Sequence, residues 1–239
     1  MSGNVIQAQR PGRRPHSAEE PPALDFRSVS KSFSTAQGPL RVLKDASFTI
    51  GRAESVALTG ESGSGKSTIL HLVAGLEPFD AGDIAVAGVR LAQMNDAERS
   101  RLRRAHIGVV FQQFNLVPSL RVMDNIAFQA RVAGRLDGSW ISELLERLGL
   151  AALTDRYPEQ LSGGQQQRVA IGRALAGKPP LILADEPTGN LDEASSDEVM
   201  ALMLDLLAGT QSSLLMVTHS ERLAARLDRR LRLANGTIA

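Results

Sequence analysis

Short apolar runs alternate along the chain with longer stretches whose apolar residues recur at three- and four-residue spacing. The short runs, bounded by Gly, Pro and polar residues, predict strands, whereas the spaced pattern predicts helices. A turn is predicted at Gly38-Pro39, between the first two strands. The predicted strands cover residues 24–29, 42–50, 54–58, 83–87, 107–111, 181–184, 213–218 and 230–233. The predicted helices cover residues 66–74, 96–104, 165–176, 193–208 and 221–227, and a helical pattern runs from about 122 to 150.

The order of these elements predicts an α/β fold. Strands and helices alternate at both ends of the chain, and a helix-rich block separates the two ends. This order indicates a mostly parallel sheet with an inserted helical lobe at about residues 112–165, within a domain that covers residues 23–239. Residues 1–22 are rich in Pro, Arg and polar groups and lack an apolar core, so they are predicted to form a disordered arm. Weak contact with anionic lipid headgroups is the alternative for this arm.

Composition narrows the possible classes of function. The 239 residues are 43% apolar and 22% charged, which is typical of a globular domain. A net charge of +1 does not favour nucleic-acid binding through bulk electrostatics. No run approaches the roughly 18 apolar residues that span a bilayer, so any membrane role is expected to come from a partner chain. The chain has no cysteine, which excludes disulfides, thiolate catalysis and Cys-based zinc sites.

A phosphate-binding loop is predicted at residues 60–67, which fit G-x-x-x-x-G-K-[ST] in full and join a predicted strand to a predicted helix. Its glycines let backbone N–H groups turn inward and form an anion site with the helix N-terminus. Lys66 would reach the β- and γ-phosphates, Ser67 would bind Mg²⁺, and Thr68 could bond the α-phosphate. The alternative is a flexible Gly/Ser loop, and the motif alone does not separate kinases, GTPases and ATPases. The predicted nucleotide-binding residues here are Gly60, Glu61, Ser62, Gly63, Ser64, Gly65, Lys66, Ser67 and Thr68.

Two acids and a histidine follow apolar strands that are expected to end beside this loop. Asp185 and Glu186 come directly after the strand at 181–184, and the carboxyl ends of parallel strands are where ligands bind. Asp185 is suited to hold Mg²⁺ through its water shell, and Glu186 is suited to orient or deprotonate the attacking water. His219 ends the strand at 213–218 and could contact a γ-phosphate. A structural turn at Asp185-Glu186 and a structural role for His219 are the alternatives.

The stretch at residues 161–170 resembles the signature sequence of ABC ATPases. Its small residues would admit a phosphate close to the N–H groups of a second helix N-terminus. The resemblance implies a head-to-tail homodimer, in which two ATP molecules lie between one chain's phosphate loop and the partner's signature. The signature residues are Leu161, Ser162, Gly163, Gly164 and Gln165.

The same resemblance assigns the remaining site residues. Gln112 looks like the Q-loop glutamine that touches Mg²⁺ and links the site to a membrane partner. Asp192 looks like the D-loop aspartate at the dimer interface, and Thr218-His219 is similar to the H-switch. Phe33 lies where the family has an aromatic residue that stacks on adenine. The resemblance implies an antiparallel β-subdomain near the N-terminus, ATP and Mg²⁺ as cofactors, Lys66, Glu186 and His219 as catalytic residues, and Ser67, Gln112 and Asp185 around the metal.

Three segments, residues 60–68, 110–118 and 184–192, resemble the group of ABC ATPases that powers lipoprotein release, macrolide export and related extrusion. This implies a separate integral-membrane permease and a peripheral location on the cytoplasmic face of the inner membrane. The permease would contact a groove near residues 112–125, although packing within the helical lobe is the alternative for its apolar residues. These are Phe114, Leu116, Val117 and Leu120.

Two other functions remain open from the sequence. The chain could power a cell-division or importer complex of the same family, because Gly-Asn-Leu-Asp at 189–192 only disfavours the amino-acid importers. A soluble ABC ATPase that acts on DNA or ribosomes is less favoured, because the chain has one cassette, no cysteine and no long heptad run. No nucleic-acid partner is therefore expected.

Overall fold

The computed structural model describes residues 20–36 and 38–239, so the predicted arm lies outside the described residues except for its last three positions. None of the helices in the described part of the chain is long and apolar enough to cross a membrane. The strands are β1 (Leu24–Thr35), β2 (Gly38–Ile50), β3 (Ser55–Thr59), β4 (Ala81–Val86), β5 (Val89–Arg90), β6 (Ile107–Val110), β7 (Leu181–Asp185), β8 (Ser213–Val217), β9 (Arg229–Ala234) and β10 (Thr237–Ile238). The helices are α1 (Lys66–Val73), α2 (Asp96–His106), α3 (Val122–Val132), α4 (Gly138–Arg147), α5 (Gly163–Leu175), α6 (Glu193–Thr210) and α7 (Glu221–Ala224).

The first sheet is antiparallel, with strand order β2-β1-β4-β5, as the family resemblance implied. The prediction of a turn at Gly38-Pro39 is wrong. Gly38 pairs with Thr35 and Pro39 with Ser34 inside the β1–β2 ladder, so the chain reverses before Gly38. Because β2 is an edge strand, the missing N–H of Pro39 costs no hydrogen bond to a further strand.

The second sheet has the order β10-β9-β3-β8-β7-β6, and only the short β10 is antiparallel to its neighbour. The central strands β3, β7 and β8 are buried on both faces and are almost continuously apolar, whereas β9 alternates buried leucines with exposed arginines. In β7, Leu181 and Leu183 pack in a core with the antiparallel sheet, α1 and α2, whereas Ile182 and Ala184 pack in a core with α3 to α6. The predicted mostly parallel sheet is confirmed. The carboxyl ends of β3, β7 and β8 meet at one edge.

A helical block fills the chain between β6 and β7, all of which the structure describes. It contains α3, α4, α5 and two short 3₁₀ helices (Ala151–Leu153 and Pro158–Gln160), and no strand. The helical pattern predicted at 122–150 is two helices, because Gly134 adopts a positive φ of 66° just after α3. Asp137 then caps α4 by accepting a hydrogen bond from Trp140 N at 3.1 Å. The limits of the lobe at 112–165 stay a prediction.

Candidate nucleotide site

The predicted phosphate loop runs from the end of β3 into the first turn of α1. Gly60 and Gly65 have φ angles of 151° and 105°, which L side chains rarely adopt. Close packing gives a second reason for glycine. A Cβ atom on Gly60 would lie 2.4 Å from the Leu233 carbonyl oxygen, and one on Gly65 would lie 2.5 Å from Val42 Cγ1. The loop therefore keeps its shape only with glycine at these two positions.

The N-terminus of α1 has the properties of an anion site. It has no side-chain cap and no acidic residue in its first turn, so the positive end of the helix dipole is uncompensated. Lys66 is 5% exposed, and its ammonium donates to the Gly60 and Glu61 carbonyl oxygens at 3.0 and 2.8 Å. Ser64 Oγ is buried without a hydrogen-bond partner. The uncapped helix end and the unpaired Ser64 hydroxyl fit a phosphate group, and the Lys66 ammonium lies beside them.

The remaining predicted loop residues lie around this cradle. Glu61, Ser62 and Gly63 form its exposed rim, and Ser67 and Thr68 lie in the first turn of α1. All nine residues predicted from the motif therefore belong to one loop and one helix end.

A hydroxyl and a carboxylate meet beside the loop. Ser67 Oγ lies 3.4 Å from Asp185 Oδ1, at the carboxyl end of β7. The described residues contain no group of three or more His, Asp or Glu side chains that could hold a metal ion by themselves. Mg²⁺ commonly binds proteins through one or two ligands and takes the rest from water and phosphate oxygens. Ser67 and Asp185 fit that pattern.

Glu186 and His219 come into contact although they are far apart in the sequence. Glu186 has a positive φ of 43°, and its N–H donates to the Val217 carbonyl oxygen at 3.0 Å, which extends the β7–β8 ladder by one bond. His219 Nε2 lies 3.1 Å from Glu186 Oε1, and the two side chains are 47% and 28% exposed. A partly exposed carboxylate held by an imidazole can accept a proton from a water molecule at this edge of the sheet.

Gln112 follows β6 at this edge of the sheet, and within the described residues no hydrogen bond joins its side chain to Ser67 or Asp185. Its carbonyl oxygen accepts a hydrogen bond from Asn190 Nδ2 at 2.9 Å. A Cβ atom on Gly189 would lie 2.9 Å from Gln112 Nε2, so the segment before Asp192 packs directly on the glutamine. The role of Asn190 as a tether for Gln112 could not be predicted, because the two residues are joined only by the fold.

Phe33 lies near the end of β1, in the hairpin that packs on the phosphate loop, and it is half-buried. Lys31 lies on the same strand, with its ammonium 4.7 Å from the centre of the Phe33 ring. Sequence reasoning missed Lys31. The two-residue spacing between Lys31 and Phe33 could have indicated the contact, because it places both side chains on one face of a strand.

The predicted signature residues form a separate region. Ser162 caps α5: its Oγ accepts from Gln165 N at 3.3 Å, and Gln165 Oε1 accepts from Ser162 N at 2.9 Å. Leu161 is buried below this end of the helix. Ser162, Gly163, Gly164 and Gln165 line a cleft of about 350 Å³ together with Asp192, and no residue of the phosphate loop lines it.

Asp192 caps α6 on the other side of this cleft. Its carboxylate accepts hydrogen bonds from Ser195 N at 2.9 Å and Ser195 Oγ at 2.6 Å. These bonds hold the pKa of Asp192 below its usual value, with the Ser195 hydroxyl as the largest cause. Ser195 was not predicted, although the spacing Asp-x-x-Ser at a helix start is a capping signal.

A mostly apolar groove of about 430 Å³ opens beside the predicted Q-loop. Its walls come from Gln113, Phe114, Asn115, Leu116, Pro118, Pro158, Glu159, Gln166 and Asn190. Two buried side chains hold the loop that lines it. Arg173 donates to the Asn115 and Phe114 carbonyl oxygens at 2.6 and 3.0 Å, and Asn125 bonds to the backbone of Val117 and Leu120 at 2.8 Å. Burial lowers the pKa of Arg173. Of the predicted groove residues, Phe114 and Leu116 line the groove directly.

Comparison with known proteins gives consistent matches over most of the chain. The family model described as "ABC transporter" matches residues 43–189, which is more than half of the sequence. The lipoprotein-releasing system ATP-binding protein LolD of Novosphingobium aromaticivorans is 44% identical over 220 residues, covering 91% of this chain and 98% of the relative. The ABC transporter ATP-binding protein YbbA of Escherichia coli (strain K12), itself described as uncharacterized, is 41% identical over 218 residues, covering 90% of this chain and 96% of the relative.

Solved structures of the cassette MJ0796 are similar to this fold. One is a dimeric post-hydrolysis state bound to ADP and Pi, with a TM-score of 0.81, 34% sequence identity and coverage of 90% of this chain and 96% of that chain. A second dimeric structure of MJ0796, described as a bacterial ABC transporter cassette, has a TM-score of 0.80 and 35% identity at the same coverage.

Proposed function

The chain belongs to the ABC transporter family as an ATP-binding and ATP-hydrolysing subunit, and from this premise we propose that it works as a homodimer that drives extrusion through a separate membrane permease. Its place would be peripheral, on the cytoplasmic face of the inner membrane. The observation that carries the proposal is the division of the site into two regions. The phosphate loop lies with Asp185 and Glu186 at the edge of the parallel sheet. The signature residues line a separate cleft on the same chain, to which no residue of the loop contributes.

The phosphate loop would bind the nucleotide. Backbone N–H groups of residues 60–67 and the uncapped end of α1 would hold the phosphates, and Lys66 would exchange its two carbonyl partners for the β- and γ-phosphates. Mg²⁺, held by Ser67 and Asp185 with Gln112 nearby, would neutralise developing charge on the phosphates. The proposal for Gln112 rests on the family resemblance rather than on a contact.

Hydrolysis would depend on Glu186 and His219. We assign Glu186 to accept a proton from the attacking water, because its carboxylate is partly exposed at the carboxyl end of β7. His219, 3.1 Å away, would orient that carboxylate and contact the γ-phosphate. The bond between the γ-phosphorus and its bridging oxygen breaks as the water oxygen adds, which releases ADP and phosphate.

The signature residues would complete the site of a second copy. No residue of the chain's own phosphate loop lines the cleft that they form with Asp192, and the dimeric MJ0796 cassettes support a two-chain arrangement for a fold of this kind. ATP binding would close the two chains on each other, and hydrolysis would reopen them. The movement would pass to the permease.

The permease would dock in the groove beside the Q-loop. This groove is apolar, it is held by buried Arg173 and Asn125, and Asn190 connects it to the segment that leads to Asp192. A change in the nucleotide site could therefore move the groove. The name of the LolD relative supports lipoprotein release or a related extrusion, rather than import, as the work of this subunit.

Trapping of the dimer tests the ATPase part of the proposal. Glu186→Gln should lower hydrolysis by about 10²- to 10⁴-fold, as expected for loss of a general base, while ATP still binds. With ATP, this variant should elute as a dimer in size-exclusion chromatography. Glu193→Gln, which changes an exposed acid at the start of α6, is the matched control and should hydrolyse ATP normally. Turnover of Glu186→Gln near the wild-type rate would refute the assignment.

Retention of an integral-membrane protein tests the transport part. The chain would be purified from detergent-solubilised membranes, and co-purifying proteins would be identified by mass spectrometry. We expect one integral-membrane protein to be retained by the wild type and lost with Phe114→Asp in the groove. Leu76→Asp, a change at a 51% exposed leucine away from the groove, should retain it. Equal retention by both variants would exclude this groove as the docking site.

A further inference from the structure

Lys31 lies almost completely buried behind the ring of Phe33. It is 6% exposed, and its ammonium is 4.7 Å from the ring centroid. Lysine is rarely buried to this extent unless its charge is paired. The buried ammonium is therefore expected to have an acidic partner in addition to the aromatic ring.

The partner of Lys31 is Glu77, in the segment that follows α1. The ammonium lies 3.6 Å from Glu77 Oε2. A second contact joins this segment to β1: Asp80 Oδ2 accepts a hydrogen bond from Ser32 N at 2.7 Å. These contacts fix the ammonium on one side of the Phe33 ring and connect the hairpin to the helix that begins at the phosphate loop.

The hairpin that carries this pair packs directly on the phosphate loop. Lys31 pairs with Leu43 across the β1–β2 ladder. A Cβ atom on Gly65 would lie 3.6 Å from Leu43 Cδ2 and 2.5 Å from Val42 Cγ1, so these two residues cover the start of α1. The half-buried ring of Phe33, two residues beyond Lys31, therefore belongs to the same hairpin that covers the start of α1.

We propose that Lys31 is a positioning residue for the nucleobase: it holds the Phe33 ring from one side, so that the other side can stack on a purine. This inference rests on the proposed function of the same site. The ammonium attracts π-electron density toward its own side of the ring, and an ordered ring loses less conformational entropy when a base stacks on it. Only the part of nucleotide affinity that comes from the base should depend on Lys31.

Lys31→Met in the full-length chain distinguishes the contribution of the base to ATP affinity from the contribution of the phosphates. Methionine has a similar length without the charge, and Glu77, whose side chain is 41% exposed, would remain solvated. Affinities for ATP and for inorganic tripolyphosphate would be measured by isothermal titration calorimetry. We expect the Kd for ATP to rise about 3- to 10-fold, a value between those of an exposed and a fully desolvated cation–π contact, and the Kd for tripolyphosphate to change by less than about twofold. Lys31→Arg should restore most of the ATP affinity.

Lys178→Met is the matched control. The Lys178 ammonium also lies 4.7 Å from an aromatic ring, that of Trp140, and it also has an acidic partner, Asp137 at 3.5 Å. This change removes the same kind of contact far from the nucleotide site. It should leave both affinities unchanged.

The two proposals fail in different ways. If Lys31→Met leaves the ratio of the ATP and tripolyphosphate affinities unchanged, including the case in which both affinities fall together, the role of Lys31 is refuted. If Phe33→Ala also leaves that ratio unchanged while Lys66→Ala weakens both ligands, the base platform is refuted and the phosphate site stands. If the wild type binds neither ligand, the proposed function itself is wrong.

Discussion

Two helix N-termini in this chain follow Gly- and Ser-rich loops, yet they differ in how their backbone donors are used. The first turn of α1 has no side-chain cap and no acidic residue, so its N–H groups and dipole are free for an anion. The first turn of α5 is closed by a capping box, in which Ser162 and Gln165 bond to each other's backbone. Similar composition therefore produces one uncapped helix end and one helix end whose cap already uses part of its donors.

The side chains around the N-termini of α1 and α5 differ as well. Around α1, two parallel strands, β7 and β8, deliver Asp185, Glu186 and His219 to the sheet edge beside the loop, and Lys66 is buried. Around α5, Ser162 is exposed on a cleft whose other wall is Asp192. We therefore propose that the α1 region carries the catalytic groups within one chain. We expect the α5 region to act only when another chain brings a phosphate to it.

The largest effect is expected from removal of the cation in the α1 region. Lys66→Ala should lower ATP hydrolysis by about 10²- to 10³-fold, the usual loss when one preorganised donor to a charged oxygen is removed. It should also weaken ATP binding to the isolated chain, because the α1 region is proposed to bind phosphate without a second copy. Steady-state phosphate release and calorimetry would measure the two effects.

Lys44→Ala, at an exposed lysine of β2, is the control for this change and should leave both quantities unaltered. ATP binding as tight in Lys66→Ala as in the wild type would show that the α1 end is not the anion site.

A smaller loss, and a different pattern, is expected from the α5 region. Ser162→Arg places a long side chain in the cleft and should lower hydrolysis by about 10²-fold, the lower end of the range for loss of one preorganised donor. ATP affinity of the isolated chain should change by less than about twofold. Hydrolysis near the wild-type rate would show that the cleft is not part of the catalytic assembly.

A mixture of the two inactive variants tests whether the α5 region acts in the partner's site. In a heterodimer of Lys66→Ala and Ser162→Arg chains, one site combines an intact loop with an intact signature. The mixture should therefore hydrolyse ATP faster than either variant alone. No gain on mixing, with dimer formation verified by light scattering, would contradict a site shared between chains.

The smallest effect concerns the cap of α6. Because the pKa of Asp192 is lowered in the folded chain, its carboxylate stabilises the fold above the unfolded pKa of about 4, and this stabilisation is lost as the pH falls through the folded pKa. Asp192→Asn keeps a capping oxygen but does not titrate. The Tm of the wild type should exceed that of the variant at pH 7, and the difference should close below pH 4. Parallel Tm curves from pH 3 to 7 would contradict this prediction.

Local signals accounted for the features that depend on a few neighbouring residues. The loop at 60–67 and the apolar runs of β7 and β8 were predicted close to their observed limits, because glycine spacing and continuous burial leave a direct mark on the sequence. The capping box of α5 also depends only on neighbouring residues, Ser162 and Gln165, but it was not predicted. The turn at Gly38-Pro39 was predicted wrongly, because cross-strand pairing outweighed the turn preference of the dipeptide.

By itself, the sequence determined the alternation of strands and helices, the family resemblance and which residue types stand at the strand ends. The tertiary structure alone decided which of them meet. Glu186 lies 3.1 Å from His219 because β7 and β8 are neighbours in the sheet, and Lys31 is paired with Glu77 because the segment after α1 lies against β1. The physical reason is that such contacts arise from burial of both faces of the sheet, which brings distant residues together without leaving a pattern along the chain.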